Sequence, residues 1–227
     1  YFNNNSGYDI TNSRAAGSVT GTGYAGGFVG YATRNGSIYR SYATGLVYAS
    51  QNYVGGFMGY ADNGYYGNVS DFFSASAVRG ADYIGGLVGY ALRGTFTNGY
   101  ATGYITSSQT SPTNKGATFG YADITYTRSG NSPNYVYTYN LKRNYLYYDT
   151  DTTGMTGDVT QVGLNSPSAG LATASFLNAI PTNFSSSVWS TGPGLYPYLN
   201  TIYGASAPQS ISGYAYKSDG ATIAAGS

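Results

Sequence analysis

Histidine, cysteine and glutamate are missing from this chain altogether, and each absence closes a class of chemistry. Without His there is no Ser-His-Asp triad and no imidazole ligand for a metal. Without Cys there is no disulfide framework, thiol nucleophile or thiolate zinc site. Ser-Lys catalysis would have to use Lys115, Lys142 or Lys217, none of which stands in an SxxK setting. Charge is scarce as well, at 8% of residues with a net of +1, so the clustered Lys and Arg that hold nucleic acid phosphates are lacking. No apolar run approaches the ~20 residues of a membrane-spanning helix. The chain opens at Tyr1 with neither a charged nor an apolar leader segment, and so reads as a piece of a longer polypeptide.

Leu, Ile, Val and Phe supply only 39 of 227 residues, a fraction that raises the question of disorder, but disorder also needs high net charge. What is abundant instead is Gly, at 34, and Tyr, at 28. Tyr rings bury a large apolar area while the hydroxyl finds water or a partner. Tyr, Val, Thr and Ile suit pleated strands, and Gly suits tight turns. The balance predicts an ordered, thinly cored, all-β fold.

Internal periodicity gives that fold its form. GGFVGYA at 26–32 returns as GGFMGYA at 55–61, GGLVGYA at 85–91 and a weaker GATFGYA at 116–122, so that Gly30, Gly59, Gly89 and Gly120 lie 29, 30 and 31 residues apart. A second half repeats with it, as ITNSRAAGSV at 10–19, SIYRSYATGLV at 37–47, NVSDFFSASAV at 68–78 and TFTNGYATGYI at 95–105. One such unit cannot bury a face alone, and stacking units solves this by pairing each coil with its neighbours. The expectation is a right-handed parallel β-helix, or β-solenoid, of four to five coils of about thirty residues, rising ~4.8 Å per coil. Val29, Met58, Val88 and Phe119 should form an inner apolar row, and Tyr31, Tyr60, Tyr90 and Tyr121 an aromatic row at least partly inside. Gly27, Gly56, Gly86 and Ala117 should keep the coil thin where opposite walls approach.

These blocks, together with SYATG at 41–45 and YATG at 100–103, resemble the GLUG motif repeats, named for a Gly-Leu-aliphatic-Gly core and found in filamentous-haemagglutinin-like and other large bacterial surface proteins. The resemblance covers roughly residues 9–125. It implies a non-enzymatic, secreted or cell-surface adhesin or structural stalk, exported across an outer membrane, with surface glycans or other copies of the same protein as partners. YYDTDTTGM at 147–155 is similar to the segment that closes such arrays, and the later GLATASFLNAI and GLYPYL stretches are similar to the region on its C-terminal side.

The chain therefore divides into a solenoid over 1–148, a C-terminal cap over 149–203, and a linker opening a further β module over 204–227. Residues 126–148 read as strand and as one more, degenerate coil. In the cap, Thr173 is a plausible N-cap for a short helix over 174–180 stopped by Pro181. Trp189 and neighbouring aromatics are suited to plug the end of the stack.

Parallel β-helices include carbohydrate-active enzymes, so a carbohydrate-binding or carbohydrate-active β-helix is the alternative function. Asp62 and Asp123 align two coils apart, ~9.6 Å by strand spacing, near the upper separation for inverting glycosidases. Leu92 lies between them, and the adjacent Arg34, Asn63, Arg93 row favours solvated charge pairing. An ice-binding solenoid would need flat Thr ladders, and the aligned Thr residues do not stack. Asp149, Asp151 and Gly154 match the start of a calcium loop, with Asp158 as the other nearby carboxylate, but the Glu that an EF-hand needs is absent. Calcium is thus the one cofactor to test. For glycan stacking, the candidates are Tyr39, Tyr42, Tyr65, Tyr66 and Tyr100.

Overall fold

A computed structural model describes residues 2–4, 9–34, 36–62, 67–123, 126–130, 136–139, 141–158, 168–203 and 207–208. Each thirty-residue unit contributes strands to three stacked faces. The first holds Val29–Arg34, Met58–Asp62, the start of Val88–Ala101, and Phe119–Ala122. The second holds Ile38–Ala49, Asn68–Gly80, the remainder of Val88–Ala101 with Ile105–Ser107, and Leu141–Asp149. The third is built from two-residue strands, Ala25–Gly26, Val54–Gly55, Ile84–Gly85 and Lys115–Gly116. Every coil-to-coil pairing among these is parallel. The chain is a β-solenoid of about four turns, as its repeat predicts.

Register follows the sequence ladders. Val29, Met58, Val88 and Phe119 pair in order and are buried, and Tyr31, Tyr60, Tyr90 and Tyr121 pair in order and are half-buried. On the second face, Ile10, Ile38, Val69 and Phe96 make an inner ladder. Each fully buried side chain of this kind contributes about 1.5–3 kcal/mol, and a coil gains it only because the coils on either side complete the wall. A Cβ on Gly86 would lie 2.3 Å from the Ala117 carbonyl of the next coil and 2.8 Å from Ala101 Cβ on the opposite wall. In the fourth coil, the last of this face among the described residues, the position is occupied by Ala117, fully buried.

Two further ladders mark the corners. Arg40, Asp71, Asn98 and Tyr145, one on each long strand of the second face, have φ between 49° and 55°, and each is skipped in the pairing register. Tyr24, Tyr53 and Tyr83, just before the third face, have φ of 51°, 67° and 54°. A left-handed backbone at residues other than Gly is costly and persists only where packing holds it. Its repetition in consecutive coils shows that the coil geometry imposes it.

Between the third and first faces, two successive amides of each coil share one carbonyl of the next. Phe28 and Val29 donate to Phe57 O, Phe57 and Met58 to Leu87 O, and Leu87 and Val88 to Thr118 O. In the fourth coil the acceptor is a side chain: Thr118 N and Phe119 N donate to Asp158 Oδ1, at 3.0 and 3.2 Å. The carboxylate thus takes the place that a carbonyl of the next coil holds elsewhere. Its other oxygen accepts from Arg143 Nη1 at 2.9 Å and from the Thr118 and Ser168 hydroxyls. Arg143 is the last member of the inner ladder, paired with Phe96, only 2% exposed and 5.2 Å from the Phe119 ring. Burial pulls its guanidinium pKa down and Asp158 opposes that pull.

The region from 126 onward departs in part from expectation. Tyr126–Ser129 and Val136–Tyr139 form an antiparallel hairpin, and Leu141–Asp149 alone continues the stack. Ala169–Leu171 adds one more parallel strand beyond it. The helix is a single turn, Thr173–Phe176, with Ala172 at its N-cap. Thr173 does not cap it, because its hydroxyl donates to Asp149 Oδ2 at 2.7 Å and its amide to Asp151 Oδ2. From there to Tyr203 the chain runs along the flank of the second face, so the aromatics expected to plug the end cover a side instead. Phe176, Phe184, Trp189 and Leu199 bury the outward ladder Tyr42, Phe73 and Tyr100. Polar contacts fix the seat: Trp189 Nε1 donates to Asp71 Oδ1 at 3.0 Å, Tyr147 OH to Thr182 O at 2.9 Å, and the Tyr42 and Tyr203 hydroxyls are 2.7 Å apart. Of the stretch 204–227, read as linker and following module, all but 207 and 208 lies outside the described residues.

Candidate functional site

A double column of tyrosines stands at the corner between the third and first faces. Tyr24, Tyr53 and Tyr83 stack on one another, with ring centroids 4.9 and 5.0 Å apart. Beside them Tyr31, Tyr60, Tyr90 and Tyr121 stack at 4.9, 5.0 and 5.0 Å, the first two intervals nearly coplanar. The columns interlock edge to face, as in Tyr24 against Tyr31 and Tyr53 against Tyr60 and Tyr90. Coil spacing sets the stacking distance. The left-handed turn at Tyr24, Tyr53 and Tyr83 aims those rings, and the last Gly of each block lets the turn backbone close in. A Cβ on Gly89 would lie 2.6 Å from Val54 N and 2.8 Å from Tyr53 C.

Packing of phenols disfavours their ionisation. Tyr60 is pushed up to about 12 by burial, then by Tyr31 and Asp62, while Tyr90 is raised by burial and then by Asp123, whose Oδ2 its hydroxyl reaches at 3.4 Å. Tyr53 is raised by burial, Tyr24 and Tyr83.

Next to the first column lies a cavity of about 350 Å³ bordered by Gly23, Tyr24, Ser50 to Tyr53, Ala81 and Gln109. None of these bordering residues is charged. Tyr24, at 48% exposed, opens onto solvent.

The tyrosines expected to bind from sequence are placed differently. Tyr42 and Tyr100 are not exposed: they are buried under the C-terminal segment, at 4% and 2%, with Tyr100 OH donating to Pro197 O. They lie four residues after the inward Ile38 and Phe96, and it is the left-handed residues Arg40 and Asn98, skipped in the register, that shift the phase and turn them outward; sequence alone does not reveal that a later segment returns to cover them. Tyr39 is half-buried on the second face, and Tyr65 and Tyr66 lie outside the described residues. Tyr24, Tyr53 and Tyr83 were missed. Their signal was a Tyr two residues before the first Gly of three blocks, YAGG, YVGG and YIGG.

Comparison with known proteins adds two findings. The description "The GLUG motif" matches residues 21–47, the stretch that runs from the approach to Tyr24 through GGFVG to the SYATG of the second face. One GLUG motif is thus matched, in the first of the repeated blocks. A crystal structure of a Bacteroides ovatus protein that bears the provisional name immunoglobulin A1 protease is similar in fold, with a TM-score of 0.58 and 17% identity, over 86% of this chain and 62% of that one. The chain thus spans less than two thirds of that protein's length. No curated protein sequence matches it significantly.

Within the repeat array the carboxylates are engaged by the protein itself. A register shift at Ala91/Arg93 sets Leu92 aside and brings Arg93, not Leu92, opposite Asp62. Arg93 then grips Asp62 through Nε at 2.6 Å and Nη2 at 3.0 Å, the charge pairing that the sequence favoured over a catalytic pair. Asp149 is fully buried; Oδ1 accepts the Asp151 and Thr152 amides, and Oδ2 the hydroxyls of Thr173 and Tyr196. Asp158 is bound at the last coil by Thr118, Phe119, Arg143 and Ser168. Asp149, Asp151 and Asp158 are therefore split between two hydrogen-bond networks, and among the described residues no three carboxylates gather as a metal site would require.

Proposed function

We propose that this chain is a non-enzymatic segment of a secreted or cell-surface bacterial protein, serving as an adhesive or structural stalk. The observation that supports the reading most strongly is the commitment of its few ionisable groups. Asp62 is clamped by Arg93, Asp158 by Arg143 and two amides, and Asp149 by four donors, which leaves these carboxylates to hold coils and corners together. Extracellular placement is supported by the GLUG match, since repeats of this kind occur in extracellular bacterial proteins. Among the described residues no helix is long and apolar enough to cross a membrane.

The test has two arms. Purified protein is incubated with immunoglobulin A1, casein and neutral oligosaccharides, and products are followed by mass spectrometry; no time-dependent cleavage is expected. The same chain, displayed on a non-adherent bacterium, should increase retention on glycan-coated or protein-coated surfaces, or cell-to-cell association. Cleavage that disappears on Asp62→Asn and Asp123→Asn substitution would instead favour a carbohydrate-active or proteolytic β-helix.

A further inference from the structure

The third face stops one coil short of the other two. Ahead of the first GGFVG block, Phe2–Asn4 pairs with Ala32–Arg34 on the first face, and Ile10–Thr11, Arg14–Ala15 and Val19–Gly21 pair with the second. Ala25–Gly26 has no neighbour on that side among the described residues and forms the edge of its sheet. The corner that follows it is equally bare. Phe57 O, Leu87 O and Thr118 O each accept two amides from the coil before, while Tyr53 O and Tyr83 O accept Ala25 N and Val54 N. Among the described residues nothing donates to the equivalent Phe28 O and Tyr24 O. Their rings are stacked on one side only: Phe28 on Phe57 at 4.8 Å with planes 5° apart, and Tyr24 on Tyr53 at 4.9 Å. At the opposite end of the array Asp158 closes off the Thr118 and Phe119 amides. One end of this corner is thus sealed, and the other offers acceptors and ring faces.

We propose that this edge is a docking site for an extended strand of the repeat's own chemistry, Tyr-x-Gly-Gly-aromatic-aliphatic-Gly, supplied by another polypeptide. The occupant follows from continuity with the coil-to-coil interface, which is formed three times in one register along the third face. A strand in that register brings its aromatic and aliphatic amides onto Phe28 O, and its two rings onto Phe28 and Tyr24 at coil spacing. Its second Gly is obligatory. A Cβ on Gly27, Gly56 or Gly86 would lie 2.3, 2.2 or 2.3 Å from the facing carbonyl of the next coil, and a Cβ on the incoming strand would meet Gly27 O in the same way. Its length is bounded as well, since Phe2–Asn4 already occupies the ground over Ala32–Arg34. The blocks at 26–32, 55–61, 85–91 and 116–122 are already built into coils, so neither this chain nor a second copy has one of them to spare. Addition of a strand to an open sheet edge draws affinity from main-chain hydrogen bonds and selectivity from side chains.

Fluorescence anisotropy with a labelled peptide copying residues 53–59, Tyr-Val-Gly-Gly-Phe-Met-Gly, tests it. A single peptide should bind per chain. Ala at the peptide's second Gly, or methylation of its Phe and Met amide nitrogens, should weaken binding by about tenfold or more. All variation lies in the peptide, so the fold of the protein is the same in every measurement. Nitration by tetranitromethane locates the bound peptide: it should slow modification of Tyr24, 48% exposed, and leave Tyr104 and Tyr145, exposed elsewhere, at their original rates. No binding, equal binding by the Ala or methylated peptide, or shielding of Tyr104 or Tyr145 in place of Tyr24 would overturn the docking site. A dimer that shields Tyr24 without peptide would put a second copy on the edge and overturn it as well.

Discussion

Replacing Asp158 by Ala should unfasten the last coil. Three things are lost together: the acceptor shared by the Thr118 and Phe119 amides, the acceptor for the Thr118 and Ser168 hydroxyls, and the one anion paired with Arg143 among the described residues. Arg143 is 2% exposed, so it keeps a buried charge without that counterion. Breaking a buried pair from one side costs about 3–5 kcal/mol, a large part of the ~5–15 kcal/mol that holds a typical protein folded. For a chain of this size each kcal/mol moves the melting temperature by about 2–4 °C, so a drop on the order of 10 °C is expected. Amide hydrogen exchange reads the cause. Protection should fall at Thr118 and Phe119 and persist at Leu87 and Val88, whose acceptor is the Thr118 carbonyl. Asp158→Asn keeps one oxygen for the two amides but turns an NH₂ toward Arg143. It should retain much of that local protection while losing comparable global stability. Unchanged exchange at Thr118 and Phe119 in Asp158→Ala would refute the idea that a carboxylate stands in for the next coil.

Other perturbations probe the wall, the flank and the phenols. Gly89→Ala forces a methyl to within 2.6 Å of Gly59 O and Val54 N and should destabilise by about 2 kcal/mol or more through backbone displacement, measured by urea unfolding; at Gly17, where a Cβ meets nothing, Ala should be near neutral. Trp189→Ala removes a fully buried indole, a change of about 3–5 kcal/mol, and should make 173–203 the first segment cut in limited proteolysis; cleavage spread evenly over the coils would contradict the packing described. The raised phenols give a pH dependence. Tyr60, Tyr196 and Tyr203 sit near 12 in the folded chain, against about 10 unfolded, so between these values the unfolded chain has lost protons that the folded one keeps. Their contribution is complete below pH ~10 and is lost as pH rises toward 12. Melting followed from pH 8 to 12 should show that decline, and a flat profile would count against it.

Much of the array was legible because its determinants are local and repeated. The spacing of Gly30, Gly59, Gly89 and Gly120 gave the coil length, and equivalence between blocks gave the pairing of Val29 with Met58, Val88 and Phe119 residue for residue. What was not legible depended on single departures from the repeat. Leu92 was read as lying between Asp62 and Asp123 because counting from Gly89 assumes an unbroken strand, and the bulge after Ala91 carries no composition signature. Tyr42 and Tyr100 are turned outward by the phase shift at Arg40 and Asn98, and a segment far along the chain then covers them. Asp158 resembled a cation ligand by its neighbourhood in sequence, while its role depends on a terminal position in space. The open Tyr24 corner escaped notice because a Tyr beside a Gly pair resembles any other strand residue until the left-handed turn is seen.

The segment lying along the flank alters how the array should come apart. In a plain solenoid each coil answers only to its neighbours, so unfolding proceeds as a zipper from whichever end is weaker. Here one strap touches Tyr42 through Tyr203, Asp71 through Trp189, Tyr100 through Pro197 and Tyr147 through Thr182, four successive coils fastened across their stacking direction. Peeling one coil then requires loosening contacts made by the others. Such a rod should fail all at once under load, with a single sharp rupture in place of a staircase of coil-sized steps.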